Sequence, residues 1–253
     1  MQLNRSRPLI TGAARGIGRA FVDAFLEAGA EVVYAGVRDE AAARRLAAAD
    51  PRVRPILLDT THPHDVAAAA RAAPDVDILV NNAGVSFNAS FLNAPSLDAA
   101  RQEIEVNFFG PLAMARAFAP SLVDRRGAIV NILSVAALVH IQSVGSYNAS
   151  KGAARAMTLG LRGDLRASGV RVLAVYPGGY DTDMAYYVED KSRLFQPSLL
   201  TAAVIEALAD GGPDDVFPDP AAQNIRRMLR EDPEGLAALM SGASAKASEA
   251  SGD

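Results

Sequence analysis

At 253 residues, half of them apolar, the chain is long enough to bury a full core as one α/β domain. A formal charge of −4 leaves no basic footprint for nucleic acid or an anionic membrane surface, and the absence of cysteine excludes disulfides and thiolate metal sites. No segment reaches the ~18 uninterrupted apolar residues of a membrane-spanning helix, and the first residues enter a strand with no apolar leader stretch, so the expectation is a cytoplasmic protein without nucleic-acid or membrane partners.

In chain order, Pro8-Leu9-Ile10 forms a short apolar strand that ends at Thr11-Gly12, and residues 17–28 carry apolar positions at helical spacing until Gly29. A strand follows at 31–36, an alanine-rich helix at 40–49, a strand at 53–58 and a helix at 66–73. The alternation continues with a strand at 76–80, one long helix at 97–120, a strand at 127–133, a helix at 147–167 and a strand at 170–175. Strands separated by helices in this way predict a doubly wound, Rossmann-like parallel sheet between two helical layers, in a single domain spanning 1–253. Beyond Gly179 the pattern becomes an aromatic-rich loop region at about 180–200. A helix at 201–209, an edge strand near 211–217 and helical pieces over 223–240 then precede a small, polar tail, 241–253, expected to be disordered.

The residues with chemical potential cluster after strand ends, where open α/β sheets bind ligands. Gly12, Gly16 and Gly18 form G-x-x-x-G-x-G, suited to a tight turn that brings backbone close to a pyrophosphate at a helix N-terminus. Tyr147 and Lys151 lie four apart, on one face of a helix, so the ammonium can lower a phenol pKa that is ordinarily near ~10. Ser134, before them, can hold a reacting oxygen. With a nucleotide loop upstream, this set reads as a hydride-transfer site. His62 and His64 lack a third clustered ligand, and no metal site is expected.

TGAARGIG at 11–18, NNAG at 81–84, Asn107, Ser134, YNASK at 147–151 and PG at 177–178 fall in one order and spacing. Through them the chain resembles the short-chain dehydrogenase/reductase family, of the compact single-domain type, from about Leu9 to Met184. The resemblance implies that Tyr147 exchanges a proton with the carbonyl or alcohol oxygen and that Ser134 binds that oxygen. Lys151 would hold the nicotinamide ribose and lower the Tyr147 pKa, and Asn107 would hold a water leading to solvent. It further implies cofactor contacts from Gly12, Arg15, Gly16, Ile17, Gly18, Asp59, Asn81, Ala83, Gly84, Pro177, Gly178 and Thr182, besides Tyr147 and Lys151. A homodimer or homotetramer paired through helices 97–120 and 147–167 is implied as well.

Cofactor choice turns on the end of the second strand, where an acidic residue suits the ribose of NAD(H) and arginine suits the phosphate of NADP(H). Val37 occupies the acidic slot, with Arg38 next to it and Arg15 facing the same space, which favours NADP(H) through guanidinium–phosphate pairing. The competing reading lets Asp39 meet the ribose of NAD(H). Val135, His140, Tyr180, Met184 and Tyr187, with Phe87, Leu138, Ile141, Gln142, Tyr186 and Phe195, are expected to border the substrate pocket. They are mainly apolar, so the expected substrate is a hydrophobic ketone, aldehyde or secondary alcohol. The alternatives are an NAD-dependent alcohol dehydrogenase of the same family and a non-catalytic dinucleotide-binding sensor. The sensor would have no need of Ser134, Tyr147 and Lys151 together.

Overall fold

Pro8-Leu9-Ile10-Thr11 is buried at every position, as a strand covered on both faces must be, and it forms β1 (Pro8–Thr11) in the interior of a parallel sheet. The computed structural model describes residues 1–240. Its other strands are β2 (Val33–Val37), β3 (Val53–Leu57), β4 (Ile78–Asn81), β5 (Ala128–Ile132), β6 (Arg171–Val175) and the short β7 (Asp215–Val216). Their spatial order is β3-β2-β1-β4-β5-β6-β7, and every pairing is parallel. The order reverses between β1 and β4, which opens the crevice where doubly wound sheets bind ligands.

Alternate residues of each strand serve two helical layers. On one face, Ile10, Val80 and Val130 pack with Phe21, Val22 and Phe25 of α1 (Gly16–Glu27), Leu46 of α2 (Glu40–Ala49), and Leu200 and Val204 of α7 (Pro197–Asp210). On the other, Leu9, Leu79 and Ile129 pack with Val66 and Ala69 of α3 (Pro63–Ala72) and with Met114, Phe118 and Leu122 of α5 (Gly110–Arg125). Leu161 and Leu165 of α6 (Gly145–Leu165) complete this layer. Each large apolar side chain removed from water contributes about 1.5–3 kcal/mol, so the two sandwiched cores hold the sheet. Helices α8 (Pro220–Glu231) and α9 (Pro233–Met240) close a smaller cluster around Val135.

Most expected boundaries move by one to four residues, and three of the changes have a visible cause. The single helix expected over 97–120 is α4 (Asp98–Ile104), a π turn (Glu105–Phe109) and α5, which continues through Pro120 to Arg125. Gly110 permits this crowded junction, because a Cβ there would lie 2.7 Å from Thr60 Oγ1. The second strand starts at Val33 rather than Glu31, whose backbone N–H bonds Ser6 O at 2.9 Å outside the sheet. Helix α7 starts at Pro197, whose missing N–H is harmless in a first helical turn. The tail expected to be disordered, 241–253, lies outside the described residues.

Candidate active site

The glycine loop leaves β1 and enters α1 with its backbone in a conformation that side chains oppose: φ is +68° at Gly12 and +53° at Gly16. Gly18 is fixed by space instead, since a Cβ there would sit 2.1 Å from Gly12 O. Arg15, the N-cap residue of α1, makes no side-chain capping bond, so the first N–H groups of the helix face the crevice without a side-chain acceptor from the cap. Across the crevice the loop after β4 is tied to β1. Asn82 N and Ala83 N both donate to Thr11 Oγ1 at 3.0 Å, and Asn82 Nδ2 donates to Thr11 O at 2.9 Å. Asn81 turns the other way, its amide donating to Asn131 Oδ1 at 2.8 Å within the sheet. Its observed work is therefore to tie β4 to β5, and Asn131 extends that link to Thr158 on α6 at 2.9 Å.

Ser134 follows β5, and Tyr147 and Lys151 project from the first turns of α6. The Lys151 ammonium is buried, donates to Ile132 O at 2.9 Å and lies 5.7 Å from the centre of the Tyr147 ring. Burial pulls its pKa down to about 8. Burial likewise pushes the Tyr147 phenol well above its ordinary value, against the opposing pull of the Ser134 hydroxyl, while Tyr187 and Glu103 push it further up. The depression of the phenol expected from Lys151 is not among the influences on it; desolvation governs, and the phenol is protonated at neutral pH. Asn107 sits in the π turn. Its Nδ2 donates to Val85 O and Ser150 Oγ, both at 2.9 Å, and its Oδ1 accepts from Val85 N at 2.9 Å. Both amide hydrogens are therefore engaged by protein, and one Oδ1 lone pair remains for a water.

With the glycine crevice and the serine, tyrosine and lysine converging at the carboxyl edge of the sheet, a family profile described as short chain dehydrogenase matches residues 8–193. The chain belongs to the short-chain dehydrogenase family. As such it is an oxidoreductase acting between CH–OH and C=O groups. It is similar to 1-deoxy-11-beta-hydroxypentalenate dehydrogenase of Streptomyces exfoliatus, with 39% identity over 195 residues, 73% of this chain and 70% of that protein. A short chain dehydrogenase from Burkholderia cenocepacia J2315 in complex with NADP superposes with a TM-score of 0.89 at 42% identity, over 95% of this chain and 99% of that one. A short chain dehydrogenase/reductase from Burkholderia phymatum in complex with NAD gives 0.81 at 28% identity, over 92% and 96%.

In this dehydrogenase the second strand does end at Val37, and exposed Arg38 follows it. Asp39 is engaged as the N-cap of α2, its carboxylate accepting from Ala42 N at 2.8 Å. Arg15 is also exposed, but it pairs with Asp183 at 2.7 Å on the loop after β6. Asp59, after β3, accepts two bonds from Thr61. Burial raises its pKa, yet those bonds and the charges of His62 and Arg38 together hold it below the usual carboxylate range. Ile17 packs on the core, and Gly84 faces Asn107 and Lys151, where a Cβ would lie 3.1 Å from Asn107 Oδ1. Pro177 O accepts from Val135 N at 3.0 Å, and the Thr182 methyl closes on Gly16.

The expected pocket lining divides. Val135 is not a lining residue: it is buried against Ala222, Ile225 and Leu236, because α8 and α9 cover that side of the sheet. Tyr180 is also core, 4% exposed, with its hydroxyl donating to Asp219. Phe195 packs beneath it, and Leu138 packs in the cluster around Tyr176. Met184, Tyr186, Tyr187 and Phe87 remain exposed. His140 is exposed too, its ring stacked parallel to Phe91 and its Nδ1 3.1 Å from Asn148 Nδ2.

Two buried carboxylates were missed in the sequence. Asp219 accepts from Gly178 N, Tyr180 OH and Ala222 N, and so joins the loop after β6 to α8. Its signal was present as Asp219-Pro220, an N-cap followed by proline at the first helical position. Glu103 lies one helical turn before Asn107, and its Oε1 accepts from Phe87 N at 2.8 Å. A glutamate in an amphipathic helix normally faces water, so no local pattern marked it.

Proposed function

We propose that this dehydrogenase transfers hydride between NADP(H) and an apolar ketone or aldehyde, or the corresponding secondary alcohol, with Tyr147 as general acid and base. The observation that carries the reading is the convergence of Ser134, Tyr147 and Lys151 beside the glycine crevice. The crevice fits a dinucleotide: two glycines at positive φ, a third with no room for a side chain, and a helix N-terminus without a side-chain cap. When bound, the nicotinamide gives or takes the hydride. The Tyr147 phenol, kept protonated by burial, donates to the carbonyl oxygen in reduction and takes the proton back in oxidation. Ser134 holds that oxygen where charge develops. Lys151 binds the ribose hydroxyls, and Asn107 fixes the 84–86 segment against α6.

NADP(H) is favoured over NAD(H) by the arrangement at β2. Val37 offers no acceptor to a ribose hydroxyl, Asp39 is engaged as a cap, and Arg38 is exposed beside them. The Arg15–Asp183 pair is solvent-exposed, and such pairs contribute only about 0–1 kcal/mol, so a phosphate can displace the carboxylate. A similar protein at 42% identity is in complex with NADP. The exposed Phe87, Met184 and Tyr187 support an apolar substrate. Pairing of two copies through α5 and α6 is supported by exposed Phe109, Val123 and Leu159 and by Gly152, Gly160 and Gly163, where an added Cβ meets open space.

The test is titration with NADPH and NADH, followed by reduced-nicotinamide fluorescence. Tight NADPH and weak NADH binding is the expected result, with Arg38→Ala weakening NADPH by about 10- to 100-fold through loss of a charge-assisted contact and leaving NADH unchanged. Tighter NADH binding would overturn the cofactor assignment, and binding of neither would overturn the whole reading.

A further inference from the structure

Arg15 and Asp183 come from opposite sides of the crevice, one from the glycine loop and the other from the loop after β6, and their side chains meet at 2.7 Å. Both backbones are held where they meet. Gly16, next to Arg15, lies against Thr182, next to Asp183: a Cβ on Gly16 would be 3.1 Å from the Thr182 methyl. Beyond Asp183, Ala185 N donates to Thr182 O at 2.9 Å, and Lys191 Nζ donates to Ala185 O at 2.8 Å. The main chain that carries the carboxylate is thus fixed in a tight turn, and only the two side chains lose freedom when the pair forms. Of the two guanidinium groups read as phosphate ligands, Arg38 makes no ion pair among the described residues, while Arg15 is already matched by a carboxylate from the substrate side.

We propose that Asp183 is a selectivity residue for the cofactor: it competes with the 2′-phosphate of NADP(H) for the Arg15 guanidinium, and so holds the preference for NADP(H) below what Arg15 and Arg38 would give without it. This rests on the reading of those two arginines as phosphate ligands. A phosphate that takes the same edge of Arg15 must displace the carboxylate. One that takes another edge lies within a guanidinium's width of it, and two anions at that distance oppose each other. Either way Asp183 counts against the phosphate. NAD(H) carries a hydroxyl at that position and leaves the pair in place, so the effect falls on NADP(H). Cofactor choice is thereby set in part from the loop that also carries Met184 and Tyr187 at the substrate mouth.

The ratio Kd(NADH)/Kd(NADPH), from fluorescence titrations at one ionic strength, reads the effect directly, because the two cofactors differ only in the phosphate. Asp183→Asn keeps the side chain's size and removes its charge, and the position is exposed enough that folding is unaffected. It should raise the ratio about two- to fivefold over the wild type, the range of an exposed ion pair, through tighter NADPH binding. In an Arg15→Ala background the same substitution should change the ratio by less than about 1.5-fold, because the group through which Asp183 acts is gone. A ratio that Asp183→Asn leaves unchanged or lowers overturns the proposal. So does a rise that persists without Arg15, which would make the carboxylate act on the phosphate by itself. Equal weakening of both cofactors by Asp183→Asn overturns it as well, since the pair would then be a clasp closed over either dinucleotide. The cofactor reading fails differently: a wild type that binds NADH more tightly defeats the NADP(H) preference, yet a ratio raised by Asp183→Asn through Arg15 still upholds the competition. Binding of neither cofactor by any variant overturns both.

Discussion

Asp219→Ala should destabilise the protein and loosen the cofactor loop together. The carboxylate is fully buried and receives three donors: Ala222 N at 2.8 Å, Gly178 N at 2.9 Å and Tyr180 OH at 3.0 Å. Hydrogen bonds to a charged group contribute ~1.5–3 kcal/mol each, and truncation leaves donors buried without partners. The three bonds share one acceptor group and do not add, so the expected loss is about 3–5 kcal/mol. Against a total stability of ~5–15 kcal/mol that is a large share, and at ~2–4 °C per kcal/mol it lowers Tm by roughly 6–20 °C. Urea unfolding followed by circular dichroism measures it. Tyr180→Phe removes one donor and leaves the carboxylate and two bonds, so it should lose only about 1 kcal/mol. Because Gly178 follows β6 at the crevice, Asp219→Ala should also weaken dinucleotide binding. A loss below about 1 kcal/mol with unchanged cofactor affinity would refute the account of Asp219 as the tie between the loop and α8.

Tyr147→Phe should lower kcat by about 10²–10⁴ through loss of proton transfer while cofactor affinity stays within a few-fold, and full activity would remove Tyr147 from the reaction. Gly18→Ala should abolish dinucleotide binding and lower Tm, because its Cβ would meet Gly12 O at 2.1 Å; isothermal titration calorimetry and a thermal melt read the two effects. Lys151 has a folded pKa lowered to about 8 by burial, so below that pH the folded state carries a desolvated charge that the unfolded chain hydrates. The penalty is present below the folded pKa and relieved as pH rises from there to the unfolded value near ~10.4. Relative to Lys151→Met, the wild type should therefore gain about 2 kcal/mol between pH 7.5 and 10; a constant difference in urea unfolding would contradict the shift.

The alternation of strands and helices was legible because the buried strands read as short, nearly continuous apolar runs, the helices carry a 3.6-residue period, and glycine and proline mark the turns. The site residues on motifs, Gly12, Gly16, Gly18, Ser134, Tyr147 and Lys151, were legible for a related reason. Their chemistry depends on local spacing along a loop or one helix face, and local spacing is what a sequence states directly.

The sequence by itself determined the alternation of a doubly wound sheet, the family, and which side chains stand at the strand ends. Only the tertiary structure decided which of the remaining residues face the site and which face the core. Tyr180 and Val135 follow strand ends as a pocket residue would, yet α8 and α9 cover Val135, while Tyr180 is buried in the core with its hydroxyl bonded to Asp219. Asp39 could meet a ribose or cap a helix, and the geometry of α2 makes it a cap. Glu103 and Asp219 look like ordinary surface acids until helices packed from distant parts of the chain bury them. Burial and partner identity arise from long-range packing, and they set the pKa values of Tyr147 and Lys151, because desolvation depends on what surrounds a group and leaves no trace in its neighbours along the chain.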